Sequence, residues 1–241
     1  MPAQKYTQIY LDLKEKIEDG TYPEQGYLPS EYTLIEQYGC SRNTVRRAIS
    51  QLADEAYVQS IHGKGVIVIY HQTPKNEFSL GGIESLKEAA RRNNRSYKTK
   101  VIQFTEFVVD EYLHRKTGFA IGEEVIYVQR VRYFDDIAEI LDNNWLLKRI
   151  VRGLTPEICE DSVYEYMEQQ LGEAIVTTKR RMSVEHATEI DEKYLDLGEY
   201  NCLAVITSQT YNGDGVMFEY TQSRHRPDKF VFYTQAQRTV R

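Results

Sequence analysis

Cysteines are few in this 241-residue chain and follow no pattern: Cys40, Cys159 and Cys202 lie far apart, and no C-x-x-C pair occurs. An odd, scattered set excludes a disulfide framework and a thiolate metal cluster, and predicts three reduced thiols serving as small core residues. Long apolar runs are missing too. No stretch approaches the roughly 20 apolar residues that cross a bilayer, and Met1-Pro2-Ala3-Gln4-Lys5 opens a mixed polar and apolar chain rather than a signal-like segment. The expectation is a cytoplasmic protein with no membrane partner. Catalytic and phosphate-binding signatures are also lacking: there is no G-x-S-x-G, no H-E-x-x-H and no G-x-x-x-x-G-K-[ST]. The histidines at 62, 71, 114, 186 and 225 have no metal-ligand spacing, so neither metal nor cofactor is expected. Positive charge is not in surplus either. The net charge is -6, and the first 70 residues hold seven basic side chains against nine acidic ones. Bulk charge therefore speaks against a nucleic-acid partner, since phosphate attraction is the main sequence-independent term in such binding.

What is present changes that reading. With 41% hydrophobic and 27% charged residues the chain is ordinary globular protein, long enough for two domains. In the first stretch, Ile9, Leu13 and Ile17 recur every fourth residue and Gly20 follows, which predicts an amphipathic helix from Tyr6 to Ile17. Ser30 after Leu28-Pro29 is a good N-cap; Leu34, Ile35 and Tyr38 share a side, and Gly39 ends this short second helix. Ser41 then caps a third helix with Val45, Ile49 and Leu52 as its buried stripe. Two helices joined by so tight a turn read as a helix-turn-helix.

The polar face of the third helix carries Arg42 and Arg46 one turn apart, and Asn43 and Arg47 beside them. Arginine can fork onto guanine O6 and N7, asparagine can pair with adenine, and Thr44 can reach a phosphate or a thymine methyl. Taken alone, such a face is more often a solvated one. Two β-rich runs follow, Tyr57 to Ile61 and Val66 to Ile69, joined by His62-Gly63-Lys64-Gly65. Glycines that let backbone approach a phosphate, with Lys64 and His62 as donors at the tip, fit a wing; a plain surface hairpin is the alternative.

The elements Leu28-Pro29-Ser30-Glu31, Ser41-Arg42-Asn43-Thr44-Val45-Arg46 and Gly63-Lys64-Gly65, in that order, resemble the GntR superfamily of bacterial regulators over about residues 5 to 69. The resemblance implies a winged helix-turn-helix gripping double-stranded, palindromic operator DNA as a homodimer. Arg42, Thr44, Arg46, Gly63 and Lys64 match positions that touch the operator in that family. Many members have an arginine after L-P-S-E where this chain has Tyr32, which can donate one hydrogen bond but brings no charge. The DNA-facing set is Ser30, Tyr32, Arg42, Asn43, Thr44, Arg46, Arg47, His62, Gly63 and Lys64.

Polar, proline-containing chain at 72–78 reads as a linker between a reader at 1–71 and a second domain at 79–241. In the latter, β-type segments at 101–109, 125–134, 176–186, 202–211, 216–223 and 229–234 mix with helical patterns at 83–93, 162–171 and 188–197. Asn212-Gly213-Asp214-Gly215 marks a hairpin turn, so the class is α+β with a mixed, mainly antiparallel sheet. Arg130 and Arg132 have the i, i+2 spacing of one strand face, where two guanidinium groups can hold a phosphate dianion or else pair with carboxylates across the sheet.

Three further motifs make this domain similar to the HutC-like branch of the superfamily: Tyr127-Val128-Gln129-Arg130-Val131-Arg132, then Ser162-Val163-Tyr164, then Glu219 followed by Arg226-Pro227-Asp228-Lys229-Phe230. That branch has a chorismate-lyase-like effector domain, and its phosphosugar-sensing members line their pocket at the positions of Ser85, Arg130, Arg132, Ser162 and Tyr164, with Glu219 as an acceptor for sugar hydroxyls. His225, where many relatives have tyrosine, resembles the repressors of trehalose operons, which implies trehalose 6-phosphate as effector; a buried structural histidine is the alternative for that residue. N-acetylglucosamine 6-phosphate or glucosamine 6-phosphate is the competing effector, and an enzyme acting on a phosphosugar the competing function.

Overall fold

The computed structural model describes residues 2–71, 78–79, 83–92 and 94–233. They belong to two separately packed units, one running to Pro74 and the other from Lys75 to Tyr233. The expected linker at 72–78 lies outside the described residues except for the backbone of 78, and so does 234–241.

In the first unit, helix boundaries follow from single residues. Helix α1 (Pro2–Glu18) starts earlier than its apolar periodicity, because proline fits a first turn where its missing N–H would find no partner anyway. Ser30 accepts from the Thr33 amide and opens α2 (Glu31–Tyr38), which Gly39 ends in the left-handed region at φ 54° with its N–H donating to Ile35 O. Ser41 accepts from the Thr44 amide and opens α3 (Arg42–Asp54). Only three residues separate the two helices, and Leu34, Val45, Ala48 and Leu52 close the core with Ile9, Leu13 and Ile17 of α1. Strands β1 (Val58–Ile61) and β2 (Gly65–Val68) pair antiparallel, and Tyr27 bridges to Ile67 on the outer edge. The winged helix-turn-helix is thus complete.

The second unit opens with the backbone of β3 (Phe78–Ser79), followed by α4 (Leu86–Arg92), β4 (Tyr97–Val108) and α5 (Glu111–Thr117). Strands β5 (Glu124–Phe134) and β6 (Ile137–Leu147) form a hairpin, and α6 (Pro156–Glu160) and α7 (Val163–Tyr166), with a π turn at Met167–Leu171, cross back. Then come β7 (Ile175–His186), α8 (Glu189–Tyr194), β8 (Cys202–Asn212), β9 (Met217–His225), a 3-10 turn at Pro227–Lys229 and β10 (Phe232–Tyr233). One six-stranded antiparallel sheet in the order β4-β5-β6-β9-β8-β7 carries the unit, and β3 pairs parallel with β10 apart from it. The α+β class and the β8–β9 hairpin match the sequence reading. Strand β6 and helices α5 and α6 were not anticipated. The helix expected at 188–197 stops at Tyr194, since Leu195 is extended and, with Leu197, packs onto Val131, Leu141, Leu203 and Val205. All three cysteines are free, yet only Cys159 is a core residue; Cys40 and Cys202 are half-buried.

Candidate functional site

On the helix-turn-helix, Glu31 faces the recognition arginines. Its carboxylate accepts from Arg42 Nε at 2.8 Å and from Arg46 Nε at 2.9 Å, so one acid spans both side chains and leaves their outer N–H groups to solvent. These two arginines hold the Glu31 carboxyl below its ordinary range. Both remain well exposed, as does Asn43. Arg47 instead lies over the Tyr6 ring, 3.9 Å from its centroid, and is braced by α1. The Ser30 and Ser41 hydroxyls are engaged with the hydroxyls of Thr33 and Thr44, each at 2.8 Å. Tyr32 is 69% exposed. At the wing tip His62, Gly63 and Lys64 are all exposed, and Gly63 (φ 72°) and Gly65 (φ 118°) hold backbone that side chains disfavour.

The second unit holds a cavity of about 180 Å³, and Ser85, Arg130, Arg132, Ser162, Tyr164, Glu219 and His225 all line it. Its floor is one face of the sheet, where alternate residues of five strands point the same way. Arg130 stands opposite Asp142, Asp142 opposite Ser223, and Ser223 opposite Ile206; one step along, Asn144, Thr221, Ser208 and Arg180 form the next row. Two segments wall it, residues 84–87 and 161–164. Lys87 ties them together, reaching Asp161 and Glu165 at 2.7 Å each.

Inside, the two expected arginines differ. Arg132 donates to Asp142 Oδ2 at 2.8 Å and to Thr99 Oγ1 at 2.7 Å, so it has made the cross-strand ion pair that its spacing left open. Arg130, only 4% exposed, donates to Asn144 Oδ1 (2.8 Å from Nη2) and to the Cys159 carbonyl (3.1 Å from Nη1), both neutral acceptors. Burial, and then the neighbouring Arg132, lowers the Arg130 pKa to about 10, which leaves it charged at neutral pH. Burial opposes the charge on Asp142, but Arg132 and Arg130 prevail and hold its carboxyl below the ordinary range. Glu219 accepts from the Tyr164 hydroxyl at 2.7 Å and from Asn144 Nδ2 at 3.0 Å. Burial pushes His225 down to about 4, so its imidazole is neutral. Ser85 and Ser162 each accept from an amide three residues on, at 3.2 Å, and keep a hydroxyl proton to donate.

Asp142, Asn144, Thr210, Ser223 and Arg180 were not picked out from the sequence. Their signal is a period of two in polar residues within apolar strands, which becomes a site only once strand order and register are known.

Fold and sites together define the class: a DNA-binding transcription regulator with a ligand-sized cavity in a second domain. Residues 5–68 match the family described as bacterial regulatory proteins, gntR family, and residues 92–231 match the UTRA domain. This chain belongs to the GntR family, in its UTRA-bearing, HutC-like branch. It is 37% identical over 238 residues to the HTH-type transcriptional regulator TreR of Bacillus subtilis (strain 168), covering 99% of both chains. It is 27% identical to the HTH-type transcriptional repressor NagR of the same organism, covering 96% of this chain and 94% of that one. Among solved structures, the effector binding domain of the B. subtilis trehalose repressor matches with a TM-score of 0.54 at 34% identity, over 59% of this chain and 99% of that one. The possible regulator YydK of B. subtilis shares the fold with a TM-score of 0.81 at 24% identity, over 97% and 99%. These relatives are regulators rather than enzymes. No helix among the described residues is long and apolar enough to cross a membrane.

Proposed function

We propose that the chain is a repressor of a sugar-utilisation operon, that it binds a palindromic operator as a homodimer, and that trehalose 6-phosphate releases it. The division of labour is a reader at 1–71, a linker at 72–78 and an effector and dimerisation domain at 79–241. The observation that carries the effector reading is Arg130. A buried guanidinium costs several kcal/mol of desolvation, and its direct partners, an amide oxygen and a carbonyl, bring no countercharge. A phosphate dianion beside it supplies that charge through forked hydrogen bonds. Arg132 shares the anion, Ser85 and Ser162 donate their hydroxyl protons, and Tyr164, Glu219 and the neutral His225 meet the sugar hydroxyls. Trehalose 6-phosphate in particular is supported by the likeness to TreR and to the trehalose repressor's effector domain.

On the DNA side, Arg42, Arg46, Asn43 and Thr44 meet base edges and nearby backbone, while Ser30, Tyr32, Arg47 and the wing tip at His62, Gly63 and Lys64 meet the phosphate backbone and minor groove. A ligand shifts this balance only through unequal affinity for the DNA-bound and released arrangements, with a typical coupling of about 1 to 3 kcal/mol. Thermal-shift measurements with trehalose 6-phosphate, N-acetylglucosamine 6-phosphate, glucosamine 6-phosphate and unphosphorylated trehalose test the choice. Stabilisation by trehalose 6-phosphate beyond the others supports it; a larger shift with either amino-sugar phosphate replaces it.

A further inference from the structure

Asn144 lies on β6 in the floor of the cavity and is 2% exposed. Its amide makes all four hydrogen bonds open to it. Oδ1 accepts from Arg130 Nη2 at 2.8 Å and from Nε at 3.2 Å, while Nδ2 donates to Thr221 Oγ1 at 2.8 Å and to Glu219 Oε1 at 3.0 Å. These partners fix which way the amide points, since the reversed group would set donors against the guanidinium and an acceptor against the carboxylate. Strands β5 and β9 flank β6, so a guanidinium from one and a carboxylate from the other stand on either side of a single amide. Asp142, two residues back on β6, is engaged with Arg132 and Ser223, and the Tyr164 phenol holds the other Glu219 oxygen from α7.

We propose that Asn144 is a positioning residue that keeps Arg130 and Glu219 from pairing with each other, so that the guanidinium stays available to the effector's phosphate and the carboxylate to its hydroxyls. This rests on the phosphate role of Arg130. A buried guanidinium and a buried carboxylate attract more strongly the closer they lie, and direct contact would use up both ends of the site at once. An amide suits the position because it accepts on one side and donates on the other without bringing charge. A carboxylate there would neutralise Arg130 and have no proton for Glu219; an apolar side chain would hold neither.

Isothermal titration of the full chain at about pH 8.5 and about pH 6, with trehalose 6-phosphate or whichever phosphosugar it binds most tightly, tests this. Affinities are compared with those of the unaltered chain at the same pH, which removes the titration of the phosphate itself. Asn144→Asp changes little in shape, but two carboxylates sharing a site push one of their pKa values up. At the higher pH the variant should bind about tenfold or more weaker, as for loss of a charged hydrogen bond. At the lower pH a shared proton restores a donor toward Glu219 and a neutral acceptor for Arg130, and the gap should narrow to about threefold. Asn144→Ala, in which guanidinium and carboxylate can close on each other, should lose about tenfold at both pH values, and Asn144→Ser, whose hydroxyl still accepts and donates, about threefold. An Asn144→Asp gap that is absent or unchanged with pH, or a loss in Asn144→Ser as large as in Asn144→Ala, overturns the positioning role while leaving the phosphate reading in place. If the unaltered chain binds neither trehalose 6-phosphate nor the amino-sugar phosphates, the phosphate reading fails and the role of Asn144 with it.

Discussion

Arg46 and His225 illustrate how much a single side chain decides. Arg46 is held by Glu31 through Nε alone, so its outer N–H groups are left to donate, and in the proposed docking they would meet a guanine edge at little further ordering cost. Arg46→Ala is expected to weaken binding to a selected operator by about 1 to 3 kcal/mol, read by fluorescence anisotropy; unchanged affinity contradicts the docking of α3. His225 is buried and neutral in the folded chain, with a pKa near 4, against an unfolded value near 6.5. Between those two values the unfolded chain binds the extra proton, so stability is fully present above about pH 6.5 and declines as pH falls toward 4. On this basis urea unfolding should show a loss of up to about 2 kcal/mol from pH 7 to pH 5, and His225→Gln should flatten that slope. An equal slope in the variant would place the sensitivity elsewhere.

Elements differ in how openly the sequence declares them. The two helices of the reader and their turn were legible because Ser30, Gly39 and Ser41 act locally, and a cap hydrogen bond spans only three residues. Strand β6 was hidden. Asp142, Asn143 and Asn144 at its centre look like a turn, and only inside the sheet do they become a buried network, with Asn144 bonded to Arg130, Glu219 and Thr221. Of these, Asp142 and Asn144 line the cavity, while Asn143 turns to the other face of the sheet and accepts from Tyr127 and Gln129. Arg130 and Arg132 were legible as a pair on one strand; Arg180 was not, since its meaning depends on the register of three intervening strands. For the wing, Lys64 at the exposed tip is expected to act on phosphate, so Lys64→Ala should reduce the slope of log affinity against log salt by about one, with little change in base preference. A loss confined to one operator sequence would instead make Lys64 a base reader.

At the scale of the whole molecule, the acidic net charge and the nine acids among the first 70 residues set the terms. One reader has too little positive charge for strong non-specific attachment, and Glu31 offsets part of what Arg42 and Arg46 bring. Under the proposed homodimer, affinity depends on two half-sites engaged together, which would make DNA binding sensitive to the spacing of the two readers and hence open to control by a ligand. The central claim is that the anion site at Arg130 governs release from DNA. Anisotropy titrations on an operator duplex selected by this chain from a random pool, with and without trehalose 6-phosphate, test it in the unaltered chain and in Arg130→Ala. The account predicts that the sugar phosphate weakens DNA binding of the unaltered chain and leaves Arg130→Ala bound with unchanged affinity. Release of the variant at the same sugar concentration, or no release of the unaltered chain by any phosphosugar, would contradict it.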